Sequence, residues 1–357
     1  MAEKRHWKSS AGLSTLGTLE EPANAGVRRR MATPIVAMLL LLVVLWLALR
    51  PDSETLDVYR TIAEIEIADP ALRSCIRETA ETHGWTEAGQ FTGLRCNNPT
   101  GGGVERLEGI EHFVVLRQLN LAFNNIEDVS ALASLSRLTD LQLSHNRIRN
   151  LPVIASATSL RRLELNHNQI DSLDWLTAEH FLVLEYLAIA HNRIGDATPL
   201  RVLTDLRELD IRSNRLRELA SVLELSKLDV LDVGGNYISD LGGIGTLGAL
   251  RRLFLDKNTL SDISGIQALH ELEQLDVGYN PITSISGLSE LLRLRRLDLR
   301  YTAIDDLDPL LTLGDIEQLD LSGISGLDCA AIGRAIEEFG SSAVLFDQDC
   351  AASSQDD

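Results

Sequence analysis

Apolar and polar positions recur with a period of 22 residues along most of the chain, most legibly in LDVLDVGGNYISDLGGIGTLGA, which begins at Leu228. Units start at residues 116, 138, 160, 184, 206, 228, 250, 272, 294 and 316, with one step of 24 between Leu160 and Leu184. Positions 1, 4 and 6 are apolar, as in Leu250, Leu253 and Leu255. The alternation at 4 and 6 predicts a short strand with one buried face. Positions 11, 14, 17 and 20 are apolar at a strict spacing of three, as in Ile282, Ile285, Leu288 and Leu291. That spacing suits one face of a 3₁₀ helix, which runs only in short pieces.

Position 9 is Asn in eight successive units: Asn124, Asn146, Asn168, Asn192, Asn214, Asn236, Asn258 and Asn280. The chain must turn inward there, and a buried amide supplies donors and an acceptor to backbone groups without sheet partners. Thr302 interrupts this Asn ladder and predicts weaker bonding at its coil. A fixed period of this length means stacked coils. The expected fold is an α/β solenoid with a parallel sheet on its concave side and short 3₁₀ or irregular segments on its convex side. The bulkier back elements, wider than the strand spacing of about 4.8 Å, bend the stack into a horseshoe.

Both ends of the array read as caps that cover an otherwise open core. Glu64–Ile67 alternates like a brief strand. Asp69 and Pro70 open a helix as N-cap and first residue, Leu72, Ile76 and Ala80 give it an apolar face, and Gly84 stops it. Thr86 is expected to cap a further turn leading into Phe91-x-x-Leu94-x-Cys96, a degenerate coil. Beyond Ile316, Asp328 caps a helix that runs to Phe339 and stops at Gly340, and Val344–Phe346 is expected to add an edge strand. The predicted organisation is 1–30 a disordered cytoplasmic tail, 31–50 a transmembrane signal-anchor helix, and 51–66 a juxtamembrane linker. Residues 67–90 form an N-terminal cap, 91–325 about nine regular repeats with degenerate end coils, and 326–357 a C-terminal cap and tail.

Compartment follows from the first 50 residues. Arg28, Arg29 and Arg30 abut MATPIVAMLLLLVVLWLAL, an uncharged run long enough to span a bilayer. Arginines on that flank predict a cytoplasmic N-terminus and an exported remainder. Leu49, Arg50 and Pro51 offer no small-residue cleavage site, which favours an uncleaved anchor over a cleaved signal peptide.

Four cysteines follow the apolar run as two close pairs, Cys75 with Cys96 and Cys329 with Cys350. The array between the pairs favours local disulfides, each worth about 3 kcal/mol by loop closure; unlinked thiols are the alternative. No Asn-x-Ser/Thr sequon occurs after residue 50, which favours a bacterial envelope.

The net charge is −19. Residues 1–50 hold seven basic and three acidic groups, so the remaining 26 basic and 49 acidic groups give the rest of the chain −23. Such a body is repelled by nucleic acid. Aromatics are only 4% of the residues, as suits aliphatic coils.

Phrases such as LTDLQLSHNRIRNLPVI, LEQLDVGYNPITSISGL and the back-turn sequence NTLSDI (Asn258–Ile263) resemble the leucine-rich-repeat family, in its 22-residue, internalin-like bacterial subclass. The resemblance covers roughly residues 70–350. It implies a protein-binding horseshoe, often with a disulfide-linked cap. Internalins anchored at the cell surface differ in lacking an N-terminal membrane helix and carrying a C-terminal sorting signal, so a host-invasion role is not carried over.

Function is expected in the letters that do not repeat. The sheet face offers Glu164, Asp210, Asp232, Phe254, Asp276, Asp298 and Asp320 at position 5, with Tyr186, Arg252 and Arg296 at position 3 and Arg212 and Arg300 at position 7. Its rim at position 8 carries Phe123, His145, His167, His191, Tyr279 and Tyr301. Aromatic and arginine side chains are the types enriched at binding hot spots.

The acidic row Asp276–Asp298–Asp320 leaves Ca²⁺, a partner or a solvated face open. The histidines leave a metal, a pH sensor, partner contact or rim packing open. Position 2 alternates in sign, which predicts a ladder of weak cross-strand ion pairs. No catalytic constellation, metal site or cofactor motif is expected. The expected function is therefore a membrane-tethered, non-enzymatic module that binds a protein partner through its concave face; a structural envelope protein without a discrete ligand is the alternative.

Overall fold

The computed structural model describes residues 57–347, apart from 99, 101–102, 152–156 and 178–179. The chain divides into two compact units, 1–52 and 53–357, and the described residues belong to the second. The expected tail, anchor helix, most of the linker and Cys350 lie outside the described residues. Among those described, no helix is long and apolar enough to cross a membrane.

Twelve strands, from β1 (Gly93–Arg95) to β12 (Val344–Leu345), form one open parallel sheet in chain order. Each regular strand is three residues long and pairs in an unshifted 22- or 24-residue register, as where Arg252, Leu253 and Phe254 meet Gln274, Leu275 and Asp276. Only the middle residue points inward in most strands, and Leu231, Leu253 and Leu275 are buried. The expected alternation is therefore borne out, compressed to its minimum.

On the opposite side, 3₁₀ turns such as Ser130–Ser134, Ser264–Ala268 and Ser286–Glu290 occupy positions 15 to 19. Their apolar residues, among them Ile266 and Leu288, complete a continuous aliphatic core. An Asp at position 13 opens many of these turns by accepting the N–H two residues on, as Asp128 does from Ser130, Asp196 from Thr198 and Asp262 from Ser264, each at 2.8 Å. The Thr198 side chain and N–H hold Asp196, and the Ser264 N–H and side chain hold Asp262, below the usual carboxylate pKa. Part of the chain's acidity is thus turn chemistry.

The Asn ladder works as a seam. Asn258 Nδ2 donates to Leu255 O and to Val233 O of the preceding coil, both at 3.0 Å, and its Oδ1 accepts the Ile238 N–H at 2.9 Å. All eight asparagines repeat this pattern, Asn124 and Asn280 included. Thr302 makes a single side-chain bond, to Leu299 O at 2.7 Å. The predicted weak coil is real, because a hydroxyl is too short to reach the neighbouring coil as well.

The N-terminal cap centres on α1 (Pro70–His83), whose Gly84 ends it in the left-handed region at φ 71°. Asp69 is buried, and burial opposes its charge. Four N–H donors, from Ala71, Leu72, Glu105 and Arg106, outweigh that penalty and hold its pKa below the ordinary value. One carboxylate therefore fastens helix to array. Cys75 and Cys96 form the expected disulfide.

Two local expectations fail. Residues 64–67 form no strand; Ile62–Glu64 is a 3₁₀ turn, and Ile65 and Ile67 are buried against the cap instead. The turn Ala88–Gln90 is capped at Glu87 rather than Thr86, because Gln90 Oε1 reaches back to both N–H groups. At the far end α2 (Cys329–Phe339) starts at Asp328 and stops at Gly340 as expected, and Cys329 is disulfide-bonded.

Candidate partner-binding face and rim

Three outward positions per strand give the sheet its exposed surface, and the backbone explains what stands there. Position 6 donates its N–H to the carbonyl at position 5 of the next coil, as Leu255 does to Asp276 at 2.8 Å, and position 8 donates to position 7. The N–H at position 7 has no such backbone partner in these coils. Asp at position 5 is short enough to accept it. Asp232 takes the Gly234 N–H, Asp276 takes Gly278, Asp298 takes Arg300 and Asp320 takes Ser322, all at 3.0 Å. The repeated Leu-Asp-Leu wording is thereby a backbone cap as well as a surface charge.

The carboxylates crowd one another along the stack, and two arginines relieve them. Arg212 lies 3.6 Å from Asp210 and 3.1 Å from Asp232, and Arg300 lies 2.6 Å from Asp298 and 3.5 Å from Asp320. Between these bridges sit Phe254, Asp256 and Asp276, flanked by Gly234 and Gly278 at position 7. A Cβ on Gly234 would lie 2.3 Å from an oxygen of Asp256, so the glycine is what admits that carboxylate. Burial, with repulsion from Asp210, pushes Asp232 up to about 6, and burial, with Asp298 and Asp256, pushes Asp276 up to about 7. Phe254 is half-buried between these two acids. Further toward the N-terminus, the Arg162 guanidinium stacks 3.6 Å over the Tyr186 ring and also pairs with Glu164 at 2.7 Å. Arg252 and Arg296 are exposed, the latter 4.0 Å from Glu317.

The rim is organised by a feature absent from the sequence reading. Every residue at position 8 from Phe123 to Gly323 has a positive φ, between 53° and 74°. A side chain there leaves the sheet sideways, and identical backbone angles make successive side chains parallel. Phe123, His145, His167 and His191 stack as one column, with centroids 4.2, 4.1 and 4.1 Å apart and planes within 15°. Ser213 and Gly235 interrupt it. Tyr279 and Tyr301 then stack at 4.5 Å, with Lys257 5.4 Å over Tyr279. Gly235 and Gly323, standing where other units have rings, were the sequence signal for this left-handed turn.

Parallel imidazoles aim their lone pairs side by side rather than at a common point. Among the described residues no group of three or more His, Cys, Asp or Glu is placed to hold a metal ion. Burial and neighbouring imidazoles lower the pKa of His145 and His167. The position 2 ladder resolves into separate pairs, Arg161 with Glu185, Asp229 with Arg251 at 3.6 Å and Arg295 with Glu317 at 3.1 Å. Three basic residues at position 10, Arg147, Arg193 and Arg215, were not singled out by the sequence; they are exposed, two residues beyond the ring positions, and Arg147 lines a cleft with Glu127, Asp128 and Asp174.

A model of "Leucine Rich repeats (2 copies)" matches residues 114–156, 136–183 and 248–290. No curated protein matches the chain. Among solved structures, an internalin (InlF) of Listeria monocytogenes is 24% identical, with 83% of this chain and 95% of that one covered and a TM-score of 0.67. Internalin C2 of the same species is 30% identical, covering 61% of this chain and 96% of its own, with a TM-score of 0.56. The functional domain of InlJ, also from L. monocytogenes, is 20% identical over 74% of this chain and 71% of its own, at a TM-score of 0.52. Proteins of this fold are generally interaction scaffolds rather than enzymes. From repeat, seam and sheet to family model and solved neighbour, the conclusion is that this chain belongs to the leucine-rich-repeat family.

Proposed function

We propose that the chain is a membrane-tethered, extracytoplasmic binding module that docks a protein on its sheet face and rim. The observation that carries this reading is the open face itself, which holds aromatic and arginine side chains outward on a rigid ladder. Arg162 lies over Tyr186, Tyr279 on Tyr301, and Phe254 stands among carboxylates. Such side chains lose little conformational freedom on binding and bury large areas. The tether rests on the arginine-flanked apolar run at 31–49, with the N-terminus in the cytoplasm and the repeats in a bacterial periplasm or outside.

Crosslinking of the full chain in cells, followed by identification of what is joined to it, tests the reading. Phe254→Ala with Tyr186→Ala should reduce recovery of the partner about tenfold or more. A partner recovered equally from wild type and variant defeats the sheet-face assignment. Crosslinking that joins no protein reproducibly returns the reading to a structural envelope role. A reporter fused at the C-terminus should be active only in its exported form.

A further inference from the structure

The ring column and the arginines next to it make a second surface, whose charge runs against that of the whole. In a chain of net charge −19, positions 8 and 10 of four successive coils carry His145, His167 and His191 beside Arg147, Arg193 and Arg215. Among the described residues, none of these three arginines has an ion-pair partner, and no imidazole nitrogen of the three histidines takes a protein hydrogen bond. The fold therefore presents unpaired imidazoles in a row, held in place by left-handed backbone that a partner need not order, with the exposed arginines two residues further along the chain.

Other charged groups near the column have prior commitments. On the sheet side Arg212 acts on His167, and His191 acts on Asp210, which Arg212 also bridges. Phe123 closes one end of the column and Ser213, uncharged, the other. Farther round the turn stand Asp171 and Asp196, the latter engaged by the Thr198 N–H, and Arg147 shares a cleft with Glu127, Asp174 and Asp128, the last engaged by the Ser130 N–H.

We propose that this rim docks an acidic protein segment, and that docking tightens as the three imidazoles take up protons. The proposal rests on the binding-module reading and adds the class of partner. Three coil spacings at about 4.8 Å make the stripe roughly 15 Å long, the length of some five residues of extended chain. A narrow acidic segment follows the column and avoids most of the acids elsewhere, meeting only those in the cleft beside Arg147. A flat anionic bilayer would meet them, since the exported part of the chain carries −23.

The pH direction follows from the packing. Imidazoles about 4 Å apart disfavour one another's protonation, and burial adds to this for His145 and His167. Carboxylates laid along the column reverse that effect and raise the imidazole pKa values, so protons and partner bind together. Binding is then strongest below the ordinary imidazole range and fades as pH rises through it.

The test uses the purified full chain in detergent and a fluorescent peptide of about six aspartates, with its asparagine counterpart as control, read by anisotropy. Affinity for the aspartate peptide should be about tenfold or more tighter at about pH 5.5 than at about pH 7.5. His145→Asn, His167→Asn and His191→Asn together, a change that left-handed backbone tolerates, should abolish that ratio. Arg147→Gln with Arg193→Gln and Arg215→Gln should weaken binding at both pH values and leave the ratio. Equal affinity at the two pH values, an unchanged triple-histidine variant, or binding only to phosphatidylglycerol vesicles overturns the proposal. If a crosslinked partner still depends on Tyr186 and Phe254 while the aspartate peptide fails to bind, the module reading stands and this inference falls.

Discussion

The two halves of the sheet solve one backbone problem with different chemistry. In the C-terminal half, the N–H at position 7 is accepted by an Asp two residues earlier on the same strand, as at Asp232 and Asp276. In the N-terminal half, position 5 includes Glu164, which is longer than Asp, and Ala188, which has no acceptor. There the neighbouring coil supplies the bond. The Asn166 N–H donates to Ser144 Oγ at 3.2 Å, and the Ala190 N–H is accepted by Asn166 Oδ1 at 2.7 Å. Around Asn166 and Ala190 this half is thus stitched by neutral side chains across coils, while at its start the Asn120 amide oxygen accepts the Ala122 N–H within one coil. The other is capped within its strands, except at Phe254, by carboxylates that then repel one another. The difference teaches that surface charge here is partly a by-product of satisfying backbone, and that the charge not neutralised afterwards is what remains for recognition.

The largest effect should be common to both halves. Asn168→Ala and Asn258→Ala each strip a buried seam of several hydrogen bonds, and each should lower stability in urea unfolding by about 2–4 kcal/mol. A cost confined to one half would show that the seam is not the shared frame.

Next comes the pH dependence that separates the halves. The folded-state pKa values of Asp232 and Asp276 are raised above the ordinary 3.8, to about 6 and about 7, so the folded chain holds protons there more tightly than the unfolded one. Their contribution is fully present below about pH 4 and is lost as pH rises through 6 to 7. Asp276→Asn should accordingly stabilise the chain by about 1–2 kcal/mol at neutral pH and by nothing near pH 3, with the acceptor for Gly278 kept. Melts at several pH values decide this, and a neutral-pH loss would mean that the carboxylate is better paired than its surroundings indicate.

The smallest effect belongs to the exposed pairs at position 2. Arg295→Ala breaks the contact with Glu317, and the loss should stay under about 0.5 kcal/mol and vanish in high salt.

Much of this was legible beforehand, for physical reasons that differ by element. A strand or 3₁₀ turn with one buried face writes its period into the sequence, so Leu253 and Ile266 identify their elements by spacing alone. Capping is equally local, and Asp69, Gly84, Asp328 and Gly340 marked both cap helices correctly. Residues 64–67 misled because alternation there records burial against the N-terminal cap, a contact with no local signature.

The candidate site was legible in its members but not in its arrangement. The sequence named His145, His167 and His191 as a column, yet only backbone turned left-handed by its place between coils makes their rings parallel and 4.1 Å apart. It also missed Arg147, Arg193 and Arg215, since an arginine after a buried Asn reads as ordinary solvated surface until the column beside it is known.

By itself, then, the sequence determined the solenoid, its register, its Asn seam and its caps, because each depends on residues close along the chain or repeated at a fixed interval. Tertiary structure alone decided which charges neutralise one another and which stay open. That outcome depends on distances between residues 20 or more positions apart, such as Arg212 to Asp232 and Arg300 to Asp320, and such distances exist only once the coils have stacked.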